Sequence, residues 1–191
     1  SLFDLLTSTD KKPDISKFSF EYDQIVSIGE LISSHILTAF LIQEGHAALW
    51  SDARQLIRTD NTFQEGNVDW HTTESLIQKQ LMPNFEQFDI QITQGFIGAT
   101  DDNESSTLGR EGSDYTAAIF ANILDADSLT IWKDVAAVMN ADPKQITAVQ
   151  PLPSLNYNEV IEMAFYGAQV IHPKTIKPLQ NKNIPLYIKS F

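Results

Sequence analysis

Apolar positions along this chain recur with two different periods. From Gln24 to Gln43, Ile25, Ile28, Leu31, Ile32, Ile36, Leu37, Phe40 and Leu41 fall at helical spacing, and Gly45 supplies a stop. His46–Trp50 reads as a short strand, and Thr72–Leu81 as a helix ending before Pro83. Phe88–Ile97 reads as a strand, alternating at first and then meeting Gly95 and Gly98. A polar loop, Asp101–Ser106, leads into TLGREGSDYTAA, Thr107–Ala118. There Ser113 or Asp114 is placed to cap a helix, and Ala117, Ala118, Ile119, Phe120, Ile123 and Leu124 give its apolar stripe. Ser128–Trp132 is strand-like, and Asn156–Ala168 is helical, with Asn156 and Glu159 resembling a capping box. Pro173 suits a helix's first position, and Ile184–Ile188 is a final strand. Strands alternating with helices predict a parallel sheet covered on both faces.

Composition narrows the chemistry. The 191 residues suffice for one sizeable core or for two lobes of one domain. With no cysteine, disulfides, thiolate metal sites and cysteine nucleophiles are excluded. The longest apolar runs are short and interrupted, which predicts no membrane span, and the first residues lack the layout of a secretory signal. A cytoplasmic location is expected. The formal charge of -12 argues against broad nucleic-acid binding. It also repels a nucleotide, so a phosphate site here needs local cations, backbone N–H donors and a divalent metal. The four histidines, His35, His46, His71 and His172, are scattered and suggest no catalytic pair.

The Thr107–Ala118 segment is the richest in chemistry. It gathers Arg110, Glu111, Asp114, Thr107 and Ser113 around Gly109 and Gly112, then enters a helix whose free N–H groups attract anions. By spacing alone it is an ordinary capped helix after a turn. Its neighbours add to it. SIGELISS (Ser27–Ser34), ITQGFIGAT (Ile92–Thr100), TLGREGSDYTAA, IWKDVAAVMNADPK (Ile131–Lys144), FYGAQVIHPKTI (Phe165–Ile176) and NIPLYIKSF (Asn183–Phe191) stand in this order. Together they closely resemble the aspartokinases, a branch of the amino acid kinase family, over about Phe20–Phe191.

The resemblance implies a three-layer α/β/α sandwich with a mainly parallel sheet, of the amino acid kinase or carbamate kinase-like type. It implies that residues 1–100 form part of an aspartate-binding lobe and 101–191 part of a nucleotide-binding lobe. The implied reaction transfers the γ-phosphoryl of ATP, with Mg²⁺, to the β-carboxylate of L-aspartate, giving 4-phospho-L-aspartate on the route to lysine, threonine, methionine and isoleucine. A carboxylate with a pKa of about 4 is already ionised at pH 7, so no general base is required. The task is to bring an anion to a polyphosphate, which falls to positioning, cations, metal and helix N-termini.

Residue by residue, Arg110 matches the family position that grips the aspartate carboxylate, and Glu30 the one that meets its ammonium. Ser113 matches a further substrate contact, Phe96 a strand end beside the pocket, and Asp114 an aspartate that orients a catalytic lysine. On the nucleotide side the matching positions are Lys133, Asp134, Met139, Asp142, Lys144, Gln169 and Val170, with His172 and Pro173 shaping a helix start. Lys133 stands where many aspartokinases have threonine, and Gln169 where many have lysine. A cation lost at Gln169 is therefore expected to be supplied by Lys133. Met139 replaces a common tyrosine, and Lys144 a common arginine, which keeps the charge but loses the bidentate fork.

The family's glycine-rich opening strand with its catalytic lysine, a second substrate loop, and the paired regulatory ACT domains have no counterpart in this sequence. The resemblance is thus to an internal piece of a catalytic domain. Negligible activity of the piece alone, and homo-oligomerisation of the longer parent, are expected. The alternatives are another member of the family, acting on glutamate or UMP, and a fragment that binds ligand without catalysis.

Overall fold

A computed structural model describes residues 15–134, 150, 152–165 and 171–191. The elements in order are α1 (Ile15–Gln43), β1 (Ala48–Trp50), α2 (Trp70–Gln80), β2 (Ile90–Ile92), β3 (Ile97–Ala99) and β4 (Ser105–Thr107). Then follow α3 (Gly112–Ile123), β5 (Leu129–Lys133), α4 (Tyr157–Phe165), α5 (Pro173–Lys182) and β6 (Leu186–Ser190). The chain divides into two compact units at Ser113/Asp114, inside the first turn of α3.

In the first unit, β1 and β2 pair in parallel, Leu49 opposite Gln91, with α2 between them in sequence. Asp69 starts α2 by accepting from Thr72 N at 3.1 Å and Thr72 Oγ1 at 2.6 Å. β3 and β4 form an antiparallel hairpin, Gly98 opposite Ser106, beside the parallel pairs that the sequence leads one to expect. β4 lies where the sequence suggests only a polar loop. Its side chains are small hydroxyls that are buried and bonded, Ser106 Oγ lying 2.6 Å from Thr59 Oγ1. The strand expected over Phe88–Ile97 is two strands in two different sheets. Between them Gln94 leaves the ladder and Phe96 takes φ 73°, a left-handed conformation that ends pairing. Leu56, Ile57, Ile77, Leu81, Ile97 and Leu108 form the core of this unit.

α1 begins earlier than its apolar pattern suggests and runs for 29 residues. Its amphipathicity is inverted. Asp23, Ser27, Ser34 and Thr38 are buried, whereas Ile25, Ile28, Ile32, Ile36 and Phe40 are each at least half exposed. Among the described residues α1 is the one helix that is, by length and composition, long and apolar enough to cross a membrane. Its polar side is bonded to the strands of its own unit. Gln24 Nε2 donates to Ser105 O at 2.7 Å, and Trp50 Nε1 to Ser34 Oγ at 2.9 Å.

In the second unit β5 and β6 pair in parallel, Ile131 opposite Ile188. Ile131, Ile171 and Ile176 pack on one side of this pair with Val160 and Ile161. Ala118, Ala121, Leu179 and Ile184 form a second cluster. The capping box is formed reciprocally: Glu159 N donates to Asn156 Oδ1 at 3.0 Å, and Asn156 N to Glu159 Oε2 at 2.7 Å. Pro173 occupies the first turn of α5, where His172 Nδ1 accepts from Lys174 N at 3.2 Å. Asn183, at φ 55°, ends that helix in a left-handed cap.

Candidate active site

Two glycines let the ITQGF and GREGS segments of the first unit lie against each other. A Cβ on Gly95 would stand 2.9 Å from the Ser113 Cβ, and one on Gly112 only 2.6 Å from Phe96 Cδ2. Leu108 N donates to Phe96 O at 2.8 Å, which sews the loop to the end of the strand region. Gly109, at φ 76°, and Glu111, at φ 54°, then turn the chain left-handedly. Gly112 N closes on Gly109 O at 3.0 Å, so the helix starts at Gly112. Ser113 and Asp114 therefore lie in its first turn rather than at the cap, because the tight turn closes before either is reached.

This arrangement places Phe96, Arg110 and Ser113 on one loop system. Arg110 and Ser113 are exposed, and Phe96 is half-buried under the turn. Glu30 is half-buried on α1. Among the described residues neither the Glu30 carboxylate nor the Arg110 guanidinium has a hydrogen-bond or ion-pair partner, and no bond joins them. A free anion and a free cation in one unit are the groups an amino acid's ammonium and carboxylate would need.

A polar network fixes Glu30's turn of α1. Ser34 Oγ donates to Glu30 O at 2.8 Å and accepts from the amide of buried Gln94 at 2.7 Å. Gln94 Oε1 in turn accepts from Ala53 N at 2.8 Å. Beside it, the His35 ring stacks on Trp50, centroids 3.7 Å apart. Asp23, on the same side of the helix, is fully buried. Its carboxylate accepts from Thr107 N at 2.8 Å, Thr107 Oγ1 at 2.9 Å and Gln64 N at 2.9 Å. Sequence reasoning singled out neither Asp23 nor Gln94. The polar stripe Asp23, Ser27, Glu30, Ser34, Thr38 on an otherwise apolar helix was the available signal.

In the second unit Asp114 and Lys133 come together. Lys133 Nζ lies 2.7 Å from Asp114 Oδ2, with side-chain exposures of 19% and 16%. The contact is an ion pair by distance rather than a well-angled hydrogen bond. It sets a cation at the carboxyl end of a parallel strand, where open α/β sheets bind ligands. Asp134 is exposed at the next position. Met139, Asp142, Lys144, Gln169 and Val170 lie outside the described residues. No three His, Asp or Glu among the described residues gather as a metal site. A cavity of about 530 Å³ in this unit is lined by Leu155, Tyr157, Ile171, Ile176 and Pro185, and includes none of the predicted site residues.

Two α/β units, each with a parallel strand pair and with loops that present ionic groups, define the class: an α/β fold of the kind that binds small anionic ligands at strand ends. The amino acid kinase family matches residues 4–190, and the chain belongs to it. It is 37% identical over 168 residues to the lysine-sensitive aspartokinase 3 of Escherichia coli, covering 88% of this chain and 37% of the relative. It is 36% identical over 169 residues to a chloroplastic bifunctional aspartokinase/homoserine dehydrogenase 1 of Arabidopsis thaliana, covering 88% and 18% respectively. Among solved structures it is similar to E. coli aspartokinase III in complex with aspartate and ADP, with TM-score 0.85 and 35% identity, covering 90% of this chain and 38% of that one. A UMP kinase from Bacillus anthracis shares the fold, with TM-score 0.64 at 16% identity. The chain thus spans well under half the length of the aspartokinases it matches.

Proposed function

We propose that the chain is part of an aspartokinase catalytic domain, which transfers the γ-phosphoryl of ATP to the β-carboxylate of L-aspartate. The observation that carries this reading is the GREGS loop, seated on the QGF segment with Arg110 exposed, in the same unit as Glu30, both without a partner among the described residues. Its support is the 35% identity, over most of this chain, to a protein solved with aspartate and ADP.

In this reading Arg110 takes the substrate α-carboxylate, Glu30 its ammonium, and Ser113 and Phe96 complete the wall. Asp114 holds Lys133, which meets the nucleotide phosphates, and Asp134, Met139, Asp142, Lys144, Gln169 and Val170 complete the nucleotide side. Mg²⁺ would enter with the nucleotide, since it is commonly held by phosphates and one or two carboxylates. When bound it spreads the charge that develops on the phosphoryl group. The protein's share is to hold two anionic reactants in line. The cytoplasm and a homo-oligomeric parent complete the proposal.

The test is acceptor-dependent ADP formation by the polypeptide that carries this chain, with L-aspartate, L-glutamate and UMP offered in turn. Turnover with aspartate alone, reduced about 100-fold or more by Arg110→Ala, is expected. Turnover with UMP or glutamate and none with aspartate would overturn the proposal in favour of another family activity.

A further inference from the structure

Asp23 is a carboxylate removed entirely from water, and among the described residues no cation lies within ion-pair distance of it. Burying an unpaired charge is costly, and here three N–H and O–H donors are what offset it. Those donors come from the end of β4 and from a separate loop. Thr107 opens the segment that carries Arg110. Gln64 belongs to the loop that cradles that segment from the other side: Gly66 N donates to Thr107 O at 2.8 Å, and a Cβ on Gly109 would stand 3.1 Å from Gln64 O. Gln64 holds φ 69°, an unfavourable backbone for a non-glycine residue, and its N–H is spent on Asp23. Along α1, Asp23 lies about two turns before Glu30, on the same side of the helix.

One side chain therefore ties the helix that bears Glu30 to the loop that bears Arg110. We propose that Asp23 is a positioning residue for the amino acid substrate: it sets the separation of Glu30 and Arg110 and has no contact with substrate itself. This rests on the aspartokinase reading for the identity of the substrate. An apolar pair would stabilise the same junction at less desolvation cost, whereas a carboxylate with three directed bonds fixes the register of both segments.

The experiment compares Asp23→Asn, Thr107→Val and Thr107→Ser with the unsubstituted chain. Asn keeps the shape but turns an acceptor into a donor facing N–H groups, and Val removes only the hydroxyl bond. Amide exchange is measured across residues 105–112 of the chain, and KM for L-aspartate and for ATP in the polypeptide that carries it. Expected are faster exchange in that segment for Asp23→Asn and Thr107→Val, and a KM for aspartate raised about 10- to 100-fold with KM for ATP within about twofold. Thr107→Ser should restore both. A lowered Tm with exchange at 105–112 and KM for aspartate unchanged would overturn the proposal, leaving Asp23 a structural residue. Absence of any aspartate dependence in the unsubstituted polypeptide would instead overturn the aspartokinase reading, and with it the substrate assigned here. The exchange data alone would then judge the tether.

Discussion

Gly112 sits so close to Phe96 that a methyl group on it would lie 2.6 Å from the ring. The absence of a side chain at Gly112 is thus what lets the Arg110 loop rest against this ring. Gly112→Ala should cost about 1–3 kcal/mol, because the ring or the loop must shift. Thermal unfolding checks the cost. A double-mutant cycle with Phe96→Leu should recover part of it, since a branched chain can retreat where a ring cannot.

The Asp114–Lys133 pair predicts a linked loss. Lys133→Ala strands a mostly buried carboxylate and should lower stability by about 1–2 kcal/mol, reduced from the fully buried case by its remaining exposure. In the reading proposed above it should also weaken ATP affinity and leave aspartate KM unchanged. Calorimetry with ATP and a Tm measurement separate the two effects, and unchanged ATP affinity would remove Lys133 from the nucleotide site.

Asp60 predicts an acid response. Burial pushes its carboxyl up, but hydrogen bonds from Asn67 and Thr62 outweigh that and hold it below the ordinary carboxylate range. A lowered native pKa means that the unfolded state binds the proton first as pH falls. The contribution is therefore complete above about pH 5, and is lost as pH drops through the native value, below about 4. A carboxyl-carbon NMR titration should find Asp60 protonating below a typical aspartate, and Asp60→Asn should flatten the low-pH limb of stability.

The reciprocal cap of α4 predicts that Asn156→Ala and Glu159→Ala each cost about 1 kcal/mol, with the double variant costing less than the sum. Denaturant unfolding of the three variants provides the test.

The exposed apolar side of α1 predicts binding of a hydrophobic dye. Ile32→Lys with Ile36→Lys should reduce that binding, while stability changes by no more than about 0.5 kcal/mol, since each side chain is at least half exposed. Ser34→Val, a smaller chemical change on the other side, should do more harm, because it breaks the bonds from Gln94 and Trp50.

That contrast explains how far the sequence could be read. Signals that act within a few residues were legible: the Asn156/Glu159 box, Pro173 at a helix start, and the glycine turn at 109–112. The side on which α1 packs was not. Periodicity reports that a helix has two unlike sides, but the core here is reached through hydroxyls, an amide and a carboxylate. β4 was hidden for the same reason, since Ser105, Ser106 and Thr107 look like loop residues until Thr59 and Asp23 supply their partners. Phe88–Ile97 looked continuous because nothing local announces that Gln94 is needed by Ala53 and Ser34. Arg110, Ser113 and Phe96 are proposed as site residues from their motifs, whereas Asp23 is tied to its partner Thr107 across 84 positions of sequence.

The stack of His35 on Trp50 has a practical use. Trp50 is one of three tryptophans, its indole N–H is held by Ser34, and Ser34 is bonded to the backbone of Glu30. Replacing Trp70 and Trp132 with phenylalanine would leave a single tryptophan, joined through Ser34 to the turn of α1 that carries Glu30. In the reading proposed above, where Glu30 meets the substrate ammonium, its fluorescence would change on binding, and the chain carries its own optical gauge of occupancy.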